Sequence, residues 1–210
     1  KKNANPVNFN QAMSFKETYS YSTSKVSVDA FGSNNAEIKY ASYKTNPNVR
    51  VVGIDENYIN TSSYELESGR NFTASEVMST GNKVILGSEI VDMLFSKKAE
   101  KAIGRIVIIN SNRFLVVGTL KSKGSSTGGS NDRRVFITLY NAKTLYGYSD
   151  KNYKVTVSVA NSSDLDNAIS HAIGVMRNVR QLKIADTNDF EIQKSDGILN
   201  QLKSMTTSLR

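Results

Sequence analysis

Few residues in this chain are equipped for chemistry, and their types and spacing exclude most of what they could do. Cysteine is absent, which removes the thiolate nucleophile, the disulfide frame and the thiolate metal site. The one histidine, His171, would have to serve any Ser-His-Asp triad. It falls six residues after Leu165 on a predicted helix, opposite the apolar stripe, so it is expected to be exposed. One histidine without cysteine leaves zinc only carboxylates. The carboxylate pairs Asp29/Glu37 and Glu65/Glu67 read as surface positions on strands, and nothing marks them as a glycosidase pair. "DENYIN" at 55–60 lacks the spacing of a calcium loop.

The closest approach to a ligand cradle is "LKSKGSSTGGSNDRRVFI", residues 120–137. A phosphate loop needs G-x-x-x-x-G-K-[ST] leading into a helix N-terminus. Here the glycines precede serine and asparagine, and a strand pattern follows. The segment is therefore expected to be a mobile loop whose Gly124, Ser125, Ser126, Gly128 and Gly129 could meet a partner. No catalytic, cofactor-binding or metal residue is assigned, and the chain reads as a non-enzyme.

The formal charge of +8 is carried by scattered lysines and arginines with no run of five or six. With no RNA-binding aromatic motif either, this describes a basic solvated surface and no nucleic-acid partner. At 210 residues, 39% hydrophobic and 22% charged, the chain suits one large or two small globular domains. No apolar run approaches the ~18–20 residues of a membrane helix. The opening "KKNANPVNFN" has no signal-peptide core, and the abrupt ends suggest a soluble excised segment.

The elements that must position these residues follow from periodicity. A weak helical pattern with Phe9, Ala12 and Met13 on one side covers 9–20, and strand patterns follow at 25–31, 37–44 and 49–55. Thr73 and Glu76 make a capping box. "KVILG" (83–87) reads as a buried strand, and Ile90, Val91, Leu94 and Phe95 mark the helix after it. Asn110-Ser111-Asn112 should turn a hairpin between two apolar strands. A strand is expected at 133–140 and a helical turn at 141–147. Near the C-terminus, a strand at 154–160, an amphipathic helix carrying Leu165, Ala168, Ile169, Ala172, Ile173 and Met176, and a strand at 189–195 predict a βαβ unit. Ser163 and Asp166 form a second capping-box pattern. Ile198, Leu199, Leu202, Met205 and Leu209 share a helical sector over 198–210.

The order of several short phrases resembles the periplasmic core domain of MacB-like ABC-transporter permeases, of the MacB/FtsX type. They are Gly53 to Tyr58; Leu66, Gly69, Arg70 and Phe72; Val84, Leu86, Gly87, Leu94 and Phe95; Ile103, Gly104 and Arg105; and Phe114 to Leu120, including Gly118. These residues are read as structural. The resemblance implies an α+β fold in two lobes: a porter-like, ferredoxin-like βαβ lobe from 1–52 and 151–197, and a β-rich, Sabre-like lobe inserted at 53–150. It implies that 198–210 runs toward a membrane helix, with Lys1, Lys2, Lys203 and Arg210 near the headgroups. It implies an inner-membrane protein with this segment on the periplasmic side, partnered by an ATP-binding subunit, a second permease copy, and an adaptor with its outer-membrane channel. A hinge is expected at the chain crossings near Gly53 and Gly147–Asp150. The rival readings are a free-standing envelope binding module and an enzyme with a carboxylate pair.

Overall fold

The computed structural model describes residues 4–21, 24–126, 129–147 and 151–194. The segment 198–210 lies outside them. Asn8 caps α1 (Phe9–Thr18) through a capping box with Gln11. The chain then forms β1 (Lys25–Ala36), the short β2 (Ile38–Tyr40) and β3 (Tyr43–Lys44), and β4 (Val49–Ile54). One-turn helices α2 (Tyr58–Thr61) and α3 (Ala74–Val77) flank β5 (Leu66–Gly69). Next come β6 (Lys83–Leu86), α4 (Ser88–Phe95), α5 (Ala99–Ala102), β7 (Ile106–Ile109) and β8 (Asn112–Leu120). After β9 (Ser125–Ser126) and β10 (Gly129–Ser130) the chain returns as β11 (Arg134–Thr138), α6 (Leu139–Tyr146), β12 (Tyr153–Ser158) and α7 (Leu165–Val179).

The fold is α+β. One mixed sheet runs β12-β1-β4-β11-β6-β8-β7-β2-β3, with β5 paired to β8. The smaller lobe gathers α1, α7 and the β1–β12 edge around Phe15, Tyr19, Val26, Val175 and Met176. Two further cores lie along the sheet, the second of them shared with the smaller lobe through Ala12, Val28, Ala30 and Tyr153. One is centred on Val51, Leu86, Ile90, Phe114 and Ile137, the other on Val52, Ile54, Ile85, Phe136 and Leu139.

Local signals account for much of this. Asn110 and Ser111 both take positive φ (44° and 77°) and join β7 to β8 with Ile109 opposite Asn112, a two-residue turn of the kind that matches strand twist. The Thr73 capping box closes with both bonds.

Four expectations give way. Residues 189–194 are not a strand: Asp189 turns toward the N-terminal segment and Phe190 packs on the smaller core, so among the described residues β12 and α7 have no second strand of a βαβ unit. The Ser163/Asp166 capping box does not form, because Ser162–Asp164 tightens into a 3-10 turn and makes Asp164 the cap of α7. β2 and β3, counted with the first lobe, lie at the far edge of the sheet, where Ile38 pairs with Ile109 of the inserted segment. The division at residue 53 also falls inside β4, whose residues Arg50–Ile54 pair in parallel with β11 while β1 pairs on the other side.

The described parts of both crossings are tightly held. Gly53 is locked in mid-sheet, where a Cβ would lie 2.2 Å from that of Ala142 on α6. At the return crossing Lys151 is buried and donates to the carbonyls of Phe31 and Tyr146, and a Cβ on Gly147 would meet the Lys143 carbonyl at 2.0 Å. Residues 148–150 lie outside the described set.

Candidate interaction site

β8 and β11 are not neighbours, because β6 lies between them, so the segment 121–133 must cross over the end of β6. It does so directly above Gly87. A Cβ there would lie 2.4 Å from the Asp132 carbonyl, and the Gly87 N–H donates to the Arg134 carbonyl at 2.9 Å. The Glu89 N–H at the start of α4 donates to the Asp132 carbonyl at 3.2 Å.

Asp132 closes the crossing into an arm. Its carboxylate accepts from Ser122 Oγ (2.6 Å), the Lys123 N–H (2.6 Å) and the Gly124 N–H (3.0 Å). Burial pushes this carboxyl up, but the hydrogen bonds outweigh it and hold it below the usual carboxylate range. In place of an irregular loop, β9 and β10 pair in a small antiparallel ladder, with Gly129 opposite Ser126 and Ser130 opposite Ser125; Gly128 lies outside the described residues. Glu89 accepts from Ser130 Oγ and from Arg133 Nε, the latter at 2.7 Å. Lys123 sits 4.2 Å over the Tyr64 ring and donates to the Ser62 carbonyl. The arm thus has a rigid root and carries Lys121, Lys123, Arg133 and Arg134 beside it. Lys121 pairs with Glu65 at 2.9 Å, and a cleft of about 140 Å³ lies between them and Ser63.

Four of the motif residues, Gly69, Arg70, Gly104 and Gly118, meet at a second junction, where β5 pairs with β8. Gly69 lies opposite Gly118. A Cβ on either would meet a carbonyl at 2.3 Å, that of Val117 or of Arg70, and Gly69 has φ +74°. The Ile103 side chain closes on Gly69, and the Gly104 N–H donates to Val116. Arg70 grips Glu76 with two bonds (2.9 and 2.8 Å), and Lys83 adds a third at 2.6 Å. These partners, Arg70 first, hold Glu76 well below the usual carboxylate range. Phe72, Leu94 and Phe95 are core residues, while Tyr58 packs partly buried against the second core, and burial pushes its hydroxyl up to about 12. These positions build the scaffold.

His171 is not exposed. It is half-buried between Tyr19 and Tyr21, with ring centroids at 5.0 and 5.8 Å, because the tyrosines following α1 wrap the flank of α7. Glu65 and Glu67 are exposed, as expected. Asp29 and Glu37 are not a pair. Glu37 binds Lys39 and Lys44, whereas Asp29 is half-buried, and burial raises its carboxyl to about 6 against the opposing pull of Lys154. Sequence reasoning missed Asp132 and Glu89, whose polar bonds set the arm. The only signal was an acid placed just beyond a glycine/serine run, after Asn131.

The first and last described segments lie side by side on the smaller lobe. Arg180, with its side chain only 4% exposed, donates to the carbonyls of Asn5 (2.9 Å) and Pro6 (3.0 Å) and to the Asp189 carboxylate (3.0 Å). The Asn5 N–H donates to the Asp189 carbonyl at 2.8 Å.

Residues 4–173 match the family described as MacB-like periplasmic core domain. The macrolide export ATP-binding/permease protein MacB of Nitrobacter winogradskyi is 32% identical over 120 residues, 56% of this chain and 18% of that protein. The ABC transporter permease YknZ of Bacillus subtilis is 28% identical over 142 residues, 67% of this chain and 34% of that one. The chain thus spans about a third or less of these relatives. The periplasmic region of MacB from Actinobacillus actinomycetemcomitans superposes with a TM-score of 0.67 at 17% identity, covering 95% of this chain and 90% of that one. The extracellular domain of YknZ superposes at 0.61 and 21% identity, covering 86% and 89%. At such identities these likenesses speak for the fold.

Proposed function

Since the chain belongs to the family of MacB-like periplasmic core domains, we propose that it is the non-catalytic extracytoplasmic part of an ABC-transporter permease in the inner membrane. It works there with an ATP-binding subunit or domain and a second permease copy. The family match over 4–173 carries this reading, and the pairing of Asn5 with Asp189, which brings the first and last described segments together, is in keeping with it.

The coupling follows from the same geometry. ATP-driven motion of the membrane helices reaches the domain at the ends that Arg180 holds together. It passes through the continuous sheet as a tilt of the whole body, and the arm at 121–133 offers its cationic flank to a periplasmic adaptor that leads on to an outer-membrane channel. The cargo is an exported molecule.

Translating the gene on both sides of this segment tests the reading. An apolar stretch of about 20 residues before Lys1, and further ones after Arg210, are expected. A cleavable signal peptide upstream with a stop codon after Arg210 would overturn it in favour of a secreted binding module.

A further inference from the structure

A cavity of about 220 Å³ lies where the end of α4 and α5 meet β2 and the start of β7. Its floor is apolar and aromatic: Leu94 and Phe95 are buried, and the Phe95 ring lies 4.4 Å from that of Tyr40 at a 33° tilt. Its rim carries Lys98, Lys101 and Arg105, all exposed, and no carboxylate lines it. None of the three cations is in an ion pair among the described residues, so their charge is open to a ligand.

The rim follows from how α4 ends, with Ser96 as its left-handed cap. Ser96 and Lys97 both take left-handed φ (52° and 64°), a conformation that non-glycine residues adopt at the expense of stability. They reverse the chain from α4 into α5 and bring Lys98 and Lys101 to the mouth. A cation at the end of α4 is also useful to that helix's last carbonyls, which accounts for Lys97 or Lys98. Lys101, on α5, and Arg105, beyond it, lie off that helix end. The cavity is smaller than the ~300–1,000 Å³ of sites for drug-sized ligands, so its occupant is small.

We propose that this cavity binds a small organic anion with a flat apolar body, of the aryl carboxylate class. The ring rests on the Leu94–Phe95–Tyr40 floor, and Lys101 and Arg105 meet the carboxylate as charge-assisted donors. The site is independent of the transporter reading and uses residues outside the arm.

The test is titration of the 210-residue chain with 1-naphthoate and, separately, with the neutral 1-naphthalenemethanol, followed by amide chemical shifts. Saturable shifts confined to the segment 94–105 and to Tyr40 are expected with naphthoate, with affinity at least tenfold above that for the alcohol. The double variant K101E/R105E, whose side chains are solvent-exposed, should melt like the parent and lose that tenfold preference. Lys143→Glu, on α6, should leave it unchanged and so excludes a general charge effect. Equal binding of the two probes, shifts centred elsewhere, absence of saturation, or a preference that survives K101E/R105E would each overturn the proposal.

Discussion

Lys16 and Asp55 are joined by a 2.8 Å ion pair that is almost wholly removed from water: the side chains are 15% and 0% exposed. The carboxylate also accepts from the N–H groups of Val28, Asn57 and Tyr58, and Lys16 reaches Glu56 at 2.6 Å. This is the bond between α1 of the smaller lobe and the turn that follows β4. Burial pushes Asp55 above the usual carboxylate range against the pull of Lys16.

Removing the lysine leaves a buried charge held only by amides. Lys16→Met should destabilise the chain by about 3 kcal/mol, the low end for breaking a buried pair, measured by urea unfolding at pH 7. Because the folded-state pKa of Asp55 then rises further, the variant should lose stability more steeply than the parent as pH increases from about 4 to 7. A loss below about 1 kcal/mol, in the range of an exposed pair, would show that the bridge does not join the lobes.

Asp29 makes an opposite contribution to ordinary surface acids. Its pKa is raised from 3.8 to about 6, so the folded chain holds a proton that the unfolded chain releases. The associated stability is present below pH 3.8 and is lost as pH rises through about 6. Asp29→Asn should therefore flatten the pH–stability curve over that window and raise the melting temperature at pH 7. An unchanged slope between those limits would mean that the carboxyl is solvated.

Gly118→Ala tests the β5–β8 junction. The added methyl would meet the Arg70 carbonyl at 2.3 Å, a backbone atom fixed by the Arg70 N–H bond to Val117. A loss of about 2–3 kcal/mol is expected, in the range of forced overpacking, by thermal or chemical unfolding. Gly104→Ala is a useful contrast: nothing lies within 4 Å of that Cβ, so only the strain of φ +76° is at stake, and the loss should be smaller.

Asp132→Asn probes the arm. The amide keeps only one acceptor oxygen, and Lys123 and Gly124 bind different ones, so at least one of these N–H groups should exchange with solvent faster. The melting temperature should move little, since the arm lies outside the three cores. Hydrogen exchange resolved by residue reads this directly; protection that stays high at both amides would show that the carboxylate is not the closure. Slow exchange in the parent also separates a rigid-rooted arm from an unstructured loop.

What the sequence made legible was local. Thr73 with Glu76, and Asn110 with Ser111, each decide a cap or a turn within four residues, and both formed as expected. The amphipathic stripe of α7 likewise announced its buried side at Ala168 and Met176. What stayed hidden depends on distant partners. Phe190 and Ile192 alternate like a strand, but Asp189 is taken by Arg180 and Asn5, so the segment never reaches a sheet edge. His171 looked exposed on the helical wheel because Tyr19 and Tyr21, about 150 positions earlier, cannot be read as its neighbours. β2 joined the far edge of the sheet because its free edge found β7, which a lobe boundary drawn on a linear map does not foresee. At the arm, the glycines and serines signalled a connection, while the acid that shapes it carried no motif.

The Arg180 clamp fixes one long closure of the chain. Residues 5 and 189, 184 positions apart in sequence, lie hydrogen-bonded side by side, and a single guanidinium on the end of α7 holds both. Neither segment can leave alone without stranding a charge that is almost wholly buried.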